Sequence, residues 1–494
     1  MMQNSKYRGM LENKPISHYI TIIAFLILSL VTTFIITRYG NDAGYLLIIV
    51  ILGSSVSLCC ILFPLFGMYV TLAMSFFVWD LSRVIGGDIG LSSLVDFLTL
   101  ATFLGIVLKK ILRKEFFWKN CNHPILYIYL IYALYTLLQL FNPNVENISG
   151  VVLIIRKFIV LLLFFYCLIQ SFNSVKEIER FFKIYLSLAF LTALYACYQE
   201  WFGMPQYQLN FIMSDPLLMQ LYQLDNGEYR KFSFLGNPKS YGLLMAASAL
   251  IPIVFLVNIK MKFKRKFLLF TCIAILLIGM SYSGTRTANF MLVLGIVLYI
   301  LMTITNKKTL FFACISILLF LFILYAPIYG NVTINRIRST FELSTDASLE
   351  VRDINRKNIQ PYIHSHPIGG GLGSTGVLNI KNNPNHPLSG FPTDSGYLQT
   401  ALELGWIGLL IQCTVYFLVM QQGIRAYYRN RNKKYRTLIL AALPCLFSYM
   451  VAQYAQVSIG DFPGIFLIYA LITIIIRLPQ IEKENLEKLK TDNV

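Results

Sequence analysis

The chain has 494 residues, of which 56% are hydrophobic and only 13% are charged, and its mean hydropathy is +0.62. This composition excludes an ordinary soluble domain and is typical of a polytopic membrane protein. The net charge of +18 does not indicate a nucleic-acid partner, because most Lys and Arg residues lie in the connections that the positive-inside rule assigns to the cytoplasm.

Apolar runs of about 20 residues, the length that crosses a bilayer as a helix, recur along the chain. The fourteen candidate spans are 17–37, 45–63, 65–82, 92–108, 124–141, 149–171, 181–201, 240–258, 267–283, 287–305, 309–329, 398–420, 437–455 and 461–477. The second and third spans share a very short connection at Phe63-Pro64, so twelve or thirteen is also allowed. We therefore predict an all-α polytopic integral membrane protein with about 12–14 transmembrane helices.

The spans group around two long polar segments, which gives four regions. Residues 1–201 form N-terminal transmembrane helices, and 202–239 form a first extracytoplasmic loop with a short interfacial helix predicted near 213–224. Residues 240–478 include a second extracytoplasmic loop at 330–397, and 479–494 form a cytoplasmic tail. Both termini are expected on the cytoplasmic side. The first apolar run has basic residues before it and no small-residue cleavage site, so it is interpreted as a signal anchor.

The second loop is predicted to be partly helical. Apolar residues recur at about helical spacing from Ser348 to Ile363, and Pro367 with the glycines that follow ends any helix. Arg352 and Arg356 lie one turn apart on this helix, so both could face one anion, although Glu350 and Asp353 are near enough to pair with them. The spacing leaves both interpretations open.

Two further arginines lie at the outer ends of spans. Arg156 is in the outer half of its span, where it could either snorkel to the surface or pair with an acidic residue. Arg286 follows Gly284 and Thr285 at a helix start, a setting that suits a phosphate oxygen. The alternative for Arg286 is contact with ordinary lipid head groups.

Three other features have weaker functional interpretations. The GGGLGST run lacks the Lys of a P-loop, so nucleotide binding is not expected. The nine cysteines and the histidines of the second loop show no metal-ligand spacing, and we expect neither a metal nor another cofactor. Asp394, just before the span at 398–420, is either a helix N-cap or a general base, and His386 is a less supported base.

Several of these elements, in this order, resemble the O-antigen ligase and polymerase superfamily of bacterial envelope enzymes. GNPKSYG at 236–242 and GTRTA at 284–288 are similar to its span-opening segments. Arg352, fourteen residues before the His366-Pro367 pair and IGGGLG, is similar to its loop motif. DSGYLQTALELGWIGLL is similar to its closing segment. The resemblance covers about residues 230–475.

The resemblance implies a GT-C-like, metal-independent, inverting glycosyltransferase of the bacterial cytoplasmic membrane with its active site on the outer face. Its donor would be a glycan on a polyprenyl diphosphate. Arg286 and Arg352, with Arg356 and Arg156 second, would bind the diphosphate, and Asp394 would be the base. Expected partners are lipid-linked glycans and membrane lipids, with a chain-length regulator as a candidate.

One departure from the family's sequence pattern favours one enzymatic activity over another. Family ligases have a His-Asn pair where this chain has Asp394 and Ser395. This favours a polymerase of surface polysaccharide repeat units (O-antigen, capsule or exopolysaccharide) over a ligase that transfers finished glycan to lipid A core or another acceptor. A flippase or other transporter is a further alternative, which the absence of an obvious internal repeat disfavours.

Overall fold

The computed structural model describes residues 23, 26–27, 29–34, 37–38, 41–85, 91–224, 227–328, 330–341, 347–376, 379–380 and 383–491. Within these ranges the regular structure is helical, apart from one isolated β-bridge between Gln223 and Tyr229. The α-helices are α1 (Asn41–Leu62), α2 (Pro64–Ile85), α3 (Ser92–Leu112), α4 (Pro124–Leu138), α5 (Ile148–Ser171), α6 (Val175–Trp201), α7 (Gln206–Met213), α8 (Pro216–Tyr222), α9 (Pro238–Asn258), α10 (Phe263–Tyr282), α11 (Arg286–Thr303), α12 (Lys307–Tyr325), α13 (Val332–Ser339), α14 (Ala347–Ser365), α15 (Gly396–Glu403), α16 (Gly405–Arg429), α17 (Lys433–Ala455) and α18 (Gly464–Thr491).

Ten helical segments of the described chain are long and apolar enough to cross a membrane, which confirms an all-α polytopic fold. They are α2, α4 with the 3₁₀ turn that follows it, α5, α6, α9, α11, α12, α16, α17 and α18. Helices α1, α3 and α10 coincide with three further predicted spans. The predicted span 17–37 lies mostly outside the described residues.

The helix bundle has a buried centre and a lipid-facing periphery. About four-fifths of the spanning windows of α9, α17 and α18 are buried, at 83%, 78% and 83%, whereas only 11% of the α12 window is. Large apolar side chains at the periphery, such as Phe322, are exposed, as expected where lipid replaces water. Hydrophobic burial therefore fixes α9 and α17 in the middle, and both helices have one end near the site described below.

The first polar segment docks onto the same end of the bundle. Its predicted helix at 213–224 is observed as α8, which begins at Pro216, and a second short helix, α7, precedes it. Arg83, at the end of α2, lies between the rings of Phe211 and Phe232, with 4.9 and 4.7 Å from its guanidinium carbon to the ring centroids. It also donates hydrogen bonds to the carbonyls of Leu235 and Gly236. These contacts hold the chain that leads into α9.

The second polar segment contains the predicted helix, observed as α14, and it ends before Pro367 as expected. The predicted span 398–420 is interrupted, however. Helix α15 stops at Glu403 and α16 starts at Gly405, where the backbone takes a left-handed φ of 72°. Hydropathy alone did not reveal this break, because the residues on both sides of it are apolar.

The C-terminal tail continues the last helix, since α18 runs to Thr491. Arg477 is 1% exposed and donates to the carbonyl of Phe172, and its guanidinium lies 3.6 Å from the Glu484 carboxylate. These contacts join the inner part of α18 to the end of α5.

Candidate functional site

Four arginines surround one cavity of about 420 Å³ at the end of the bundle where α11 begins and α17 ends. They are Arg230, Arg286, Arg336 and Arg352. Among the described residues, no Asp or Glu lines this cavity; the remaining lining is Gly284, Thr285, Thr287, Phe290, Ser339, Thr340, Phe341, Ala455 and Gln456. The arginine cavity therefore presents a concentrated positive charge with hydroxyl groups between the cations.

The turn before α11 allows Arg336 to lie against the backbone just before Arg286. Gly284 has a φ of 58°, which favours glycine. A Cβ atom there would lie 3.1 Å from Nε of Arg336, which donates a 2.7 Å hydrogen bond to the Gly284 carbonyl. The side chain of Thr285, the N-cap residue, makes no cap hydrogen bond. The turn therefore exposes the start of α11, with Arg286, to the cavity.

Arg230 is held rigidly beside this turn. It donates from Nε to the Ser283 carbonyl at 2.9 Å, from Nη1 to the Leu221 carbonyl at 3.1 Å and from Nη2 to the Thr285 hydroxyl at 2.9 Å. Burial, and to a smaller degree the neighbouring cation Arg336, lowers the pKa of Arg230 to about 10. An anion in the cavity would relieve this unfavourable concentration of positive charge.

Arg352 links the arginine cavity to Asp394. Its Nε lies 3.5 Å from Oδ2 of Asp394, and both side chains are only partly exposed, at 28% and 36%. The residues after Asp394 are fixed on α17: the hydroxyl of Ser395 donates to the Gln453 carbonyl, and that of Tyr397 donates to the Met450 carbonyl. Ser395 caps α15 by accepting from the Leu398 amide, so the predicted N-cap role belongs to Ser395, not to Asp394.

The other two predicted arginines lie outside the lining of the arginine cavity. Arg356 packs on Tyr454, with 4.6 Å from its guanidinium carbon to the ring centroid, and is 3.6 Å from Asp353. Arg156 lies 3.5 Å from Asp96 of α3. Both arginines therefore pair with an acidic residue, which the sequence left open as the alternative to anion binding.

The glycine-rich run is a packing element at the α15–α16 break. The amides of Gly370 and Gly371 donate to the carbonyls of Leu402 and Glu403. Glu403 is 6% exposed and accepts from the Thr375 hydroxyl at 2.6 Å and from Gln399 at 3.1 Å. Burial raises the pKa of its carboxyl group, while these hydrogen bonds oppose the shift. The run therefore holds α14 and α15 together.

The loop histidines have structural contacts as well. His386 accepts from the Leu388 amide at Nδ1, and its Nε2 lies 3.1 Å from the Asn144 carbonyl. His366 stacks on Tyr362, with ring centroids 3.9 Å apart. Among the described residues, no group of three or more His, Cys, Asp or Glu side chains could hold a metal ion.

Sequence reasoning missed Arg230 and Arg336, although a signal was present. Both lie in polar segments assigned to the outer side, where the positive-inside bias makes arginine uncommon. An arginine at such a position is therefore a candidate binding-site residue.

The arrangement can bind a doubly charged oxyanion and keep a carboxylate next to it. Guanidinium groups match paired phosphate oxygens by bidentate hydrogen bonding. The carboxylate of Asp394 can accept a proton from a hydroxyl group placed near the anion.

Comparison with known proteins agrees with this chemistry. Residues 271–413 match the family model described as O-antigen ligase. A domain of the O-antigen ligase and polymerase superfamily therefore occupies this part of the chain, which confirms the resemblance found in the sequence. Arg286, Arg336, Arg352 and Asp394 fall inside the matched segment, and Arg230 lies outside it. No curated protein matches the chain.

Proposed function

We propose that this chain is a membrane polymerase of surface polysaccharide repeat units, which transfers a glycan from a polyprenyl diphosphate to the hydroxyl group of a lipid-linked acceptor sugar. The observation that carries the proposal is the arginine cavity: among the described residues, four guanidinium groups and no carboxylate line it, and Asp394 is joined to it through Arg352. The O-antigen ligase-type match at residues 271–413 supports the same class of reaction.

In this proposal the arginines bind the diphosphate and stabilise the negative charge that grows on it as the glycosidic bond breaks. The diphosphate is both the anchor of the donor and the leaving group, and the guanidinium groups would supply the positive charge that its departure needs. The site would lie on the outer face of the bacterial cytoplasmic membrane, where lipid-linked repeat units are expected.

Asp394 is the proposed general base. It would take the proton of the acceptor hydroxyl as that oxygen attacks the anomeric carbon, and the opposite approach of nucleophile and leaving group inverts the configuration. The 3.5 Å contact between Arg352 and Asp394 supports a base held near the diphosphate site, with the acceptor hydroxyl between Asp394 and the anomeric carbon. Arg352 is therefore proposed both to bind the donor and to orient the base.

The first test is the size distribution of surface glycan and of lipid-linked intermediates in cells that lack this protein. Loss of long polymer, with single repeat units still reaching their final anchor, is the expected result. Complementation with Arg352→Ala or Asp394→Asn should fail, whereas Lys357→Gln, which removes an exposed charge from the same helix, should restore long polymer. Long polymer in both site variants would reject the site.

A ligase is the second candidate, favoured by the description of the matching family. It predicts the opposite intermediate, namely full-length polymer retained on the polyprenyl carrier after deletion. We prefer the polymerase because family ligases have a His-Asn pair at the position where this chain has Asp394 and Ser395.

A further inference from the structure

A second cavity, of about 170 Å³, lies between the helices α4, α5, α16, α17 and α18. In the part of the chain that the structure describes, no charged side chain lines it. Its polar lining consists of five tyrosines and two glutamines: Tyr129, Tyr132, Tyr416, Tyr449, Tyr469, Gln412 and Gln453. Ile459 and Gly460, in the connection between α17 and α18, also line it. We refer to it as the tyrosine cavity.

One polar group of the tyrosine cavity, on Gln412, is buried without a protein partner, whereas Gln453 accepts hydrogen bonds at Oε1 from Ser458 and the Ile459 amide. Gln412 is 9% exposed, and its buried Oε1 accepts no hydrogen bond from any described residue. Within the described chain, the hydroxyls of the five tyrosines also form no hydrogen bond, and they are not among the fully enclosed orphan atoms. Buried polar groups are normally satisfied, so the unpaired Oε1 of Gln412, with the tyrosine hydroxyls of the same cavity, points to a hydrogen-bonding ligand.

The lining also defines the chemistry of that ligand. The absence of charged groups disfavours a phosphate or a diphosphate, which the arginine cavity suits instead. The aromatic rings are fixed by edge-on contacts, with centroids 6.1 Å apart for Tyr129 and Tyr469 and 5.8 Å apart for Tyr132 and Phe158. Apolar faces combined with hydroxyl and amide groups suit an uncharged ring that carries several hydroxyls. A cavity of about 150 Å³ holds one benzene ring, so the tyrosine cavity has room for a single sugar ring whose substituents extend through its opening.

The tyrosine cavity is also connected to the proposed base. Met450 and Gln453 line it, while Ala455 and Gln456, on the same end of α17, line the arginine cavity. The residues that follow Asp394 bind this stretch of α17 through the carbonyls of Met450 and Gln453. These hydrogen bonds join the wall of the tyrosine cavity to the segment that carries Asp394.

We infer that the tyrosine cavity binds a neutral sugar residue of the acceptor glycan. This inference rests on the proposed function, because it assigns the second substrate of the same transfer. Gln412 and the tyrosine hydroxyls act as hydrogen-bonding and positioning groups, and they take no part in proton transfer.

The test measures two ligands on the full chain in lipid nanodiscs. One probe is the repeat-unit glycan released by mild acid from the lipid carrier of cells that lack this protein, and the other is inorganic pyrophosphate. By equilibrium dialysis, Gln412→Leu and Tyr416→Phe should each weaken glycan binding about tenfold and leave pyrophosphate binding unchanged. Tyr427→Phe, a buried tyrosine on the same helix outside both cavities, should alter neither.

The outcomes separate this inference from the proposed function. Glycan binding that is undetectable in the wild type, or unchanged in both variants, would mean that the cavity is only hydrated and would overturn the inference. Pyrophosphate binding that survives Arg286→Ala and Arg352→Ala would instead reject the arginine cavity. Retained pyrophosphate binding shows that each cavity variant is folded. In the transfer reaction, the same variants should raise the acceptor KM and change kcat little.

Discussion

At the residue scale, the arginine cavity uses guanidinium groups that reach it from four separate parts of the chain. Arg286 begins α11, Arg336 is on α13, Arg352 is on α14, and Arg230 precedes α9. A lysine would supply charge at any of these positions, but it lacks the planar fork that fits two phosphate oxygens. We therefore expect lysine at any of these four positions to bind the diphosphate less well than arginine does.

Arg336 gives the sharpest residue-scale prediction, because sequence reasoning did not select it. Arg336→Gln should lower kcat/KM for polymer formation by about 100-fold or more, the usual cost of removing one donor from a transition-state oxyanion site. Arg336→Lys should lie between this variant and the wild type. Initial rates with purified lipid-linked repeat units measure the effect, and equal activity of all three proteins would remove Arg336 from the site.

The lowered pKa of Arg230 predicts a pH dependence of anion binding. As the pH rises through about 10, Arg230 loses its proton, and pyrophosphate affinity should fall. In Arg336→Gln the fall should occur at higher pH, because the neighbouring cation that lowers this pKa is gone. Between the lowered pKa and the ordinary arginine value, the unfolded chain binds more protons than the folded chain. This group's contribution to the free energy of unfolding therefore rises with pH in that window.

Pyrophosphate dissociation constants from pH 8 to 11 check this prediction, with thermal unfolding followed at the same pH values to confirm that the protein is intact. A pH profile identical in the wild type and in Arg336→Gln would contradict the proposed coupling between the two arginines.

At the element scale, the glycine-rich run and the α15–α16 break are one packed unit. A Cβ atom on Gly405 would lie 2.0 Å from the Pro367 carbonyl oxygen, and one on Gly369 would lie 2.4 Å from the Gly405 nitrogen. Both glycines have left-handed φ values, 72° and 76°. The sequence indicated a turn at the glycine run. It did not indicate the partner of that turn, because the break lies in a segment whose apolar pattern is continuous.

Gly405→Ala should therefore destabilise the protein more than Gly376→Ala does. Both positions have a left-handed φ, 72° and 89°, which costs alanine about 1 kcal/mol. Only Gly405 adds a backbone clash, since nothing lies within 4 Å of a Cβ atom at Gly376. Thermal unfolding in nanodiscs should show the larger drop in Tm for Gly405→Ala, and equal drops would contradict the packed unit.

Glu403 provides an independent test of the same unit. Glu403→Gln keeps an acceptor for Thr375 and should retain most of the stability and activity. Glu403→Ala leaves buried donors without a partner and should lower the free energy of unfolding by about 2 kcal/mol. Tm and polymer yield measure both effects. A Gln variant as unstable as the Ala variant would mean that the negative charge itself, and not the hydrogen bonding, is required.

At the scale of the whole molecule, hydropathy predicts the spans well because a bilayer imposes length and apolarity on every helix that crosses it. The site is predicted less completely. Arg286 and Arg352 stood out through the motifs around them, whereas Arg230 reaches the cavity through the docking of a loop on Arg83, Phe211 and Phe232. That docking is a tertiary contact between distant segments, and no periodicity in the sequence encodes it.

The orientation of the bundle gives the last prediction. Helix α16 starts beside the α14–α15 unit and ends at Arg429, so the two ends of the bundle are distinct. The connection that follows and the first turn of α17 are basic, with Arg431, Lys433 and Lys434, and the positive-inside bias assigns them to the cytoplasm. The arginine cavity would then face outward, as transfer from outer-leaflet donors requires.

Single cysteines test this orientation in a Cys121→Ser chain, whose other native cysteines lie within predicted spans. Lys357→Cys, on α14, and Arg431→Cys replace exposed basic residues at opposite ends of the bundle. A charged thiol reagent that does not cross membranes should label Lys357→Cys in intact cells, and it should label Arg431→Cys only after the cells are opened. Native cysteines within spans should react little, because the reactive thiolate is disfavoured in lipid. The reverse labelling pattern would place the arginine cavity in the cytoplasm, beside soluble nucleotide-linked sugars. Reaction with lipid-linked donors of the outer leaflet would then be impossible.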